Sequence, residues 1–455
     1  MEHRYDNLLK EIIGIIRNDY AGFEEVKNRH DSRYFVNTAG TAWKRGTLDE
    51  ILFLRIVSQY LASLGDPCLK FSMLDHGDYK NYDVGFRARR SGEYLYVTES
   101  DAENRLVPGD RITALNSLAP GRHRTKFTKN ILVGETPERE QWGGLLKMVR
   151  HVGVQHADGS KEDLPLRHYL PRPVSPAPDF SAPRPDVCLI RIEQFSADTQ
   201  ALEQLLVQHE SELNTCEKLI IDIRKNAGGS DGGFFPLLPY VMDRPFTPEE
   251  LLDADPVRNN YSKGNCERRI QEFTALRAQY AQQEDGGEAV SILDGLIQEF
   301  RQKSGTGWEE VNAAVRDGSE PAAAAPDPGE TDRDAAPAES KAAGTRMQPK
   351  ENIQSVILIT DTWCRDSGEV FADIARRSSK VRLLGRPTMG TIDYTNYVTA
   401  VFDDTYVLSY PMGKKARIAN GERYNLTGLP VDIYRPWTPA ECTRDILTEK
   451  ALEYI

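Results

Sequence analysis

No stretch of this 455-residue chain approaches the roughly 18 consecutive apolar residues that cross a bilayer as a helix. No membrane is therefore expected as a partner. Positive charge is also short: 57 Lys and Arg stand against 69 Asp and Glu, a formal net charge of -12. Nucleic acid and anionic lipid both need a basic face, so neither is expected as a partner. The six cysteines, Cys68, Cys188, Cys216, Cys266, Cys364 and Cys442, are scattered, and no pair has the short spacing of a metal knuckle. No metal and no cofactor are expected, and the thiols read as reduced residues of a cytoplasmic protein. The opening MEHRYDNLLKEIIGIIRNDY carries acids and no long apolar segment, so it reads as an amphipathic helix and not as a signal peptide.

What is present is ordinary globular material, 39% hydrophobic and 28% charged, in a chain too long for one core. Residues 1–78 read as helical. Leu8, Leu9, Ile12, Ile13 and Ile16 recur at helical spacing, as do Ile51, Leu52, Ile56, Tyr60 and Leu61, and the second helix should stop at Gly65-Asp66-Pro67. Residues 79–170 switch to short strands: Val84–Phe86, Tyr94–Val97 and Arg111–Leu115, then a helix near 137–149 and a hairpin around Asp158-Gly159. Residues 171–186, PRPVSPAPDFSAPRPD, read as a semi-rigid linker.

An α/β pattern follows over 187–245 and 351–455. Val187–Ile192, Leu219–Ile223, Val356–Thr360 and Val381–Gly385 are apolar runs of strand length, with helices expected over 198–213 and 367–377. A hairpin is expected over 397–411. Between the two halves lies an insertion, 246–350, with charged helical segments first. Its end, 315–350, is rich in Ala, Pro and acid and has too little apolar bulk to order itself.

The chemistry-bearing segments come in a fixed order. KLIIDIRKNAGG is a buried strand running into a glycine turn, whose backbone N–H groups can hold an anion or a developing oxyanion. ILITDTWCRDSGEVFADIARR is a strand running into a helix, and VRLLGRPTMGTIDYTN follows with a G-x-x-T-x-G turn. Upstream, VGFRARRSGEYLYVTE and NRLVPGDRITALN resemble a PDZ domain. In this order the segments resemble the tail-specific, or C-terminal-processing, serine peptidases, and the resemblance covers the chain outside the insertion. It implies an α/β fold: a crotonase-like β-α superhelical core with an N-terminal helical segment, a PDZ-like β-rich domain and the helical and disordered insertion. It also implies an extended peptide or unstructured polypeptide as partner, strand addition to the PDZ-like unit, and an oxyanion-binding turn made by Asn226, Gly228 and Gly229.

The catalytic positions depart from that family's pattern. Its nucleophilic serine stands three residues before a glutamate. Glu369 fills the acid position here, and Asp366 stands where the serine should be. Ser367 is one place later, which turns a side chain by about 100° at a helix start. The lysine of one branch follows the glycine of T-x-G, where this chain has Thr391, and the histidine of other branches falls on Cys68. A serine needs a base to become a nucleophile at neutral pH.

Three readings follow. In the first, the chain is a peptide-binding pseudopeptidase. In the second, it is an active serine peptidase using Ser367, with a base such as His76. In the third, the chemistry is replaced, with Asp366 and Glu369 as an acid pair or Cys364 and Cys68 as a thiol centre. The plain alternatives are that Asp366 is only an acidic helix start, that Cys364 is a small apolar core residue, and that His76 is a surface side chain.

Overall fold

The computed structural model describes residues 4–74, 82–127, 136–170, 177–283, 286–311 and 346–455. His76 and most of the 315–350 segment lie outside the described residues.

The sheet that carries the site has six strands, in the order Ile433–Tyr434, Val381–Gly385, Ser355–Thr360, Lys218–Asp222, Val187–Arg191 and Asp179–Arg184. All neighbours run parallel except the last pair, which is antiparallel. The central strands are apolar almost throughout because both faces are covered. Leu219, Ile221, Val356 and Leu358 face one cluster, with Phe234, Phe371 and Ile374. Ile220, Ile357 and Ile359 face a second cluster, with Leu447 and Ala451 of the helix Ile446–Tyr454. Part of the expected linker is thus an edge strand. Asp179–Arg184 pairs with Val187–Arg191, and its register shifts between Ser181 and Arg184, where Pro183 is tolerated because the outer edge needs no N–H donor.

The strands Phe86–Ser91, Tyr94–Ser100, Arg111–Leu115, His151–Gln155 and Lys161–Pro165 form an antiparallel meander in chain order. It closes over its own core of Val84, Leu95, Ile112, Trp142, Val152 and Leu164. The helix expected near 137–149 is only a 3-10 turn, Pro137–Arg139, and one turn of α-helix, Gly143–Leu146.

The N-terminal region is helical up to Leu64, as its spacing requires. Asp49 caps the helix Glu50–Leu64 by accepting from the Leu52 N–H at 2.7 Å, and Gly65 ends it in the left-handed region at φ 79°. The helical expectation fails beyond that point. Lys70–Met73 is a strand paired with the long strand Tyr406–Lys415, which also pairs with Tyr394–Phe402 and Val257–Tyr261. The insertion is not an appendage. Its helices Lys263–Tyr280 and Gly287–Lys303 bury Cys266, Phe273, Leu293 and Phe300 in the same apolar cluster as Leu9, Ile16, Phe53 and Tyr60. Its strand Gly307–Val311 extends the same sheet through Val257–Tyr261. Sequence-distant pieces build one helical and β unit because each has an apolar face that only the others can cover.

Candidate functional site

Parallel strands place their carboxyl ends, and the loops that follow, on one side of a sheet. Asp222 and Ile359 are register partners, so the turns after Lys218–Asp222 and Ser355–Thr360 begin side by side.

The first turn is organised by Asn226, which is fully buried. Its side-chain amide donates to the Ile192 carbonyl at 3.2 Å, and its Oδ1 accepts from the Gly228 N–H at 3.0 Å. Its backbone carbonyl accepts from the Arg365 N–H at 3.0 Å, which ties the first turn to the second. Gly228 and Gly229 have φ of 101° and 126°, a region that glycine alone enters freely. A Cβ on Gly229 would stand 2.0 Å from the Phe195 carbonyl oxygen, so the close approach also requires glycine.

The second turn ends at Asp366, with φ 55° and ψ -130°. No side chain is at ease there. The Asp366 N–H donates to Thr391 Oγ1 at 2.7 Å. Its side chain lies against the glycine turn: a Cβ on Gly228 would be 2.5 Å from Asp366 Cβ and 2.6 Å from Oδ2. Asp366 is open to solvent on one side and crowded by protein on the other. Burial pushes its carboxyl above the ordinary carboxylate range, against Arg365, the Gly229 N–H and Lys70, which pull it down.

Ser367, the first residue of the helix Ser367–Ala375, is fully buried, and its hydroxyl has no hydrogen-bond partner among the described residues. Glu369, two residues further, is also fully buried. One of its oxygens accepts from the Thr388 hydroxyl and from the Gly390 N–H at 2.6 Å; the other accepts from the Thr391 hydroxyl and from the Thr391 N–H at 2.6 Å. Burial raises its pKa and these donors lower it. A carboxylate saturated by four donors holds the T-x-G turn in shape and has no free lone pair to aim at a substrate.

Cys68 enters from the chain end of the helix Glu50–Leu64. Its thiol donates to the Thr391 carbonyl at 3.5 Å, and its N–H donates to Asp66 Oδ1 at 2.8 Å. Burial first, then the Asp66 carboxylate, pushes the thiol well above its ordinary range. Such a thiol stays protonated and unreactive. Asp66 itself is pushed up to about 6 by burial, despite hydrogen bonds from Tyr20 and Cys68 that lower it. Cys364 is completely buried, and burial, then Glu369 and Asp361, raise its pKa well above the ordinary thiol range.

The structure therefore gathers Asn226, Gly228, Gly229, Asp366, Thr391 and Cys68 around one spot and leaves Ser367 behind it. The Gly228 N–H does not line the hollow as expected, because Asn226 takes it. Sequence reasoning missed several contributors. Tyr397 and Asp66 flank Cys68. Arg139 of the 3-10 turn donates to the Thr388 and Met389 carbonyls. Arg89 of the meander donates to Asp361 Oδ1 at 2.9 Å and to Thr362 Oγ1 at 3.0 Å. Nothing in one sequence marks these arginines, since their partners lie some 250 residues away. Asp66 had a signal: it is the acid of the L-x-D-x-C stretch that aligned Cys68. A surface hollow of about 380 Å³, lined by Tyr34, Asn37, Thr38 and Arg45 among others, belongs to the N-terminal helices and shares no residue with this site. Among the described residues, no group of His, Cys, Asp and Glu side chains has the geometry to hold a metal ion.

A strand-to-helix elbow is thus set beside a glycine turn on adjacent parallel strands. The family is settled by its model: Peptidase family S41 matches residues 186–435, more than half of the chain. The chain belongs to that family, the C-terminal-processing peptidases. None of the curated proteins matches it significantly in sequence. Among solved structures it is similar to mature CPAF complexed with lactacystin, at 11% identity and a TM-score of 0.60, over 99% of this chain and 96% of that one. Mature CPAF alone gives 11% identity and a TM-score of 0.59, over 98% and 95%. The photosystem II D1 C-terminal processing protease gives 14% identity and a TM-score of 0.44, over 96% and 94%. At these identities the likeness to the CPAF structures speaks for a shared fold.

Proposed function

We propose that this chain is a pseudopeptidase: a member of the serine-peptidase family that binds an extended polypeptide and does not cleave it. The antiparallel meander is read as its PDZ-like unit and the parallel-sheet unit as its crotonase-like core. One observation carries the reading. At the strained elbow beside the glycine turn stands the carboxylate of Asp366, with its side chain packed on Gly228. A carboxylate at that place lacks the hydroxyl that acyl transfer through a serine needs.

The competing readings find less support. Ser367 is buried, and among the described residues, which do not include His76, its Oγ is hydrogen-bonded to no imidazole or amine. Thr391 has no basic group, and Cys68 is held as a neutral thiol by burial and by Asp66. The acid-pair reading needs a free Glu369, whose oxygens are taken by the T-x-G turn. The six cysteines are all unpaired, which suits a cytoplasmic setting.

The test is to incubate the wild type and Ser367→Ala with fluorescein-labelled casein, reading hydrolysis by gel and binding by anisotropy. The expected result is saturable binding and equal, negligible hydrolysis in both. Cleavage by the wild type that Ser367→Ala loses would overturn the reading in favour of an active serine peptidase.

A further inference from the structure

The insertion holds one turn of the N-terminal region, and that turn reaches the site. Its strand Val257–Tyr261 and helix Lys263–Tyr280 close on Asn18 and Asp19, where the helix Arg4–Asn18 ends. The Asn260 side-chain amide donates to the Asn18 carbonyl at 3.1 Å, and that of Asn265 donates to the Asp19 carbonyl at 2.9 Å. The Asp19 carboxylate accepts from Ser262 Oγ at 2.6 Å and from the Arg268 guanidinium at 2.8 Å. Gly264 lets these groups meet, since a Cβ there would stand 2.6 Å from Asp19 Oδ2. Asp19, Asn260 and Asn265 are all buried.

Tyr20, the next residue, is also buried, and its hydroxyl donates to Asp66 Oδ2. The Gly22 backbone closes on that hydroxyl: a Cβ on Gly22 would stand 2.3 Å from its oxygen. The other Asp66 oxygen accepts from the Cys68 N–H at 2.8 Å. The Cys68 thiol donates to the Thr391 carbonyl at 3.5 Å, and Thr391 Oγ1 accepts from the Asp366 N–H at 2.7 Å. Contacts thus run without a break from the insertion to the elbow residue. Buried polar groups leave a partner only at the cost of an unsatisfied donor or acceptor, so the members of such a network hold one another in place.

We propose that Tyr20 is a positioning residue for the elbow at Asp366, and that the insertion acts on the site through Asp19 and Tyr20. The physical reason is that a buried carboxylate between two fixed donors has one place to sit. Asp66, held by Tyr20, sets the Cys68 main chain, and the Cys68 thiol sets the Thr391 carbonyl. Asp19 and Tyr20 share a peptide bond, so what the insertion does to one it does to the other. In its effect on peptide affinity, this inference rests on the reading of the site as polypeptide-binding.

The first experiment does not depend on that reading. The full chain is labelled with ¹⁵N-aspartate, and the Asp366 amide resonance, assigned by its loss in Asp366→Gly, is compared among variants checked for folding by circular dichroism. Tyr20→Phe keeps the ring and removes only the donor to Asp66. Arg268→Gln breaks the ion pair to Asp19 and serves as the second variant in case the first does not fold. Both should move the resonance. The double variant should move it no further than Tyr20→Phe does, because members of one network are not additive. Arg268→Lys, which keeps the charge on Asp19, should restore the wild-type position. Arg277→Gln, on the same helix but paired with Asp294 at the surface, should leave it unmoved. An unmoved resonance in either folded single variant, or shifts that add in the double, overturns the proposal. The second experiment measures anisotropy of labelled casein, with Tyr20→Phe expected to bind about threefold or more weakly than the wild type, the size of coupling carried by such networks. Equal affinity overturns the effect on binding. If the wild type binds no casein at all, the polypeptide-binding reading fails, and the aspartate resonance still decides whether Tyr20 positions Asp366.

Discussion

Arg89 of the antiparallel meander and Asp361 at the end of a central parallel strand form a buried ion pair at 2.9 Å. Arg386 completes it from the other side, 2.8 Å from the same carboxylate and 2.9 Å from Glu441. Burial alone would raise Asp361, but Arg89 and Arg386 outweigh it and hold the carboxyl well below the ordinary range. The chain from Arg89 to Glu441 joins the meander to the sheet that carries the site. Trp363, under the guanidinium groups of both Arg87 and Arg89, extends the joint to within three residues of Asp366.

Removing one partner of a buried pair leaves the other charge uncompensated. Arg89→Ala should destabilise the protein by about 3 kcal/mol, the low end for such a loss because Arg386 remains. Urea denaturation measures it. A loss under about 1 kcal/mol would mean that the pair is solvated.

The Asp66 carboxyl has its pKa raised in the folded state, from an ordinary 3.8 to about 6. A raised folded value favours the protonated form, so its contribution to stability is complete below pH 4 and is lost as pH rises through about 6. The interval corresponds to roughly 3 kcal/mol. Asp66→Asn, which cannot ionise, should gain stability over the wild type by about that amount on going from pH 4 to pH 7. Thermal unfolding at the two pH values checks this; a pH-independent difference would contradict it.

Asp366 is strained at φ 55° and ψ -130° and caps nothing. Glycine relieves such strain, at the cost of greater freedom when unfolded. Asp366→Gly should therefore raise stability by about 1 kcal/mol, read as a higher urea midpoint at unchanged slope.

Ser367, in the first turn of a helix, is a buried hydroxyl without a partner among the described residues. Alanine removes the unsatisfied group and is the better helix former, so Ser367→Ala should be neutral or stabilising by up to about 1 kcal/mol. Casein binding should not change. A large loss of stability would show that the hydroxyl has a partner after all.

Glu369→Gln turns one acceptor oxygen of a four-donor hub into a donor. Two N–H or O–H groups of the Thr388–Thr391 turn then face another donor, at a cost of roughly 3 kcal/mol. Circular dichroism during urea unfolding measures the loss. Casein binding should weaken with it, since the same turn holds the Asp366 N–H.

Much of the fold was legible where a local rule decides. Val381–Gly385 and Arg111–Leu115 are strands with the bounds expected of them, because apolar runs of strand length between turns have few other uses. The helix stop at Gly65 was readable because a left-handed C-cap favours glycine. The strand Lys70–Met73 was not readable, since its apolar residues gain a partner only from Tyr406–Lys415, far along the chain. The helices of the insertion were legible as helices. That they complete the N-terminal core was not, because an apolar stripe does not name what covers it.

The sequence by itself determined the order of segments, the glycine pair that the turn requires, and the carboxylate where a serine belongs. These are properties of single residues and their neighbours: a missing Cβ, a missing hydroxyl, a spacing. Tertiary structure alone decided where each of them points. It turned the Gly228 N–H back to Asn226, set Asp366 against Gly228, buried Ser367, and brought Arg89 and Arg139 onto the same joint. Direction in space depends on the packing of strands and turns that lie far apart along the chain, and a linear pattern carries no record of that angle.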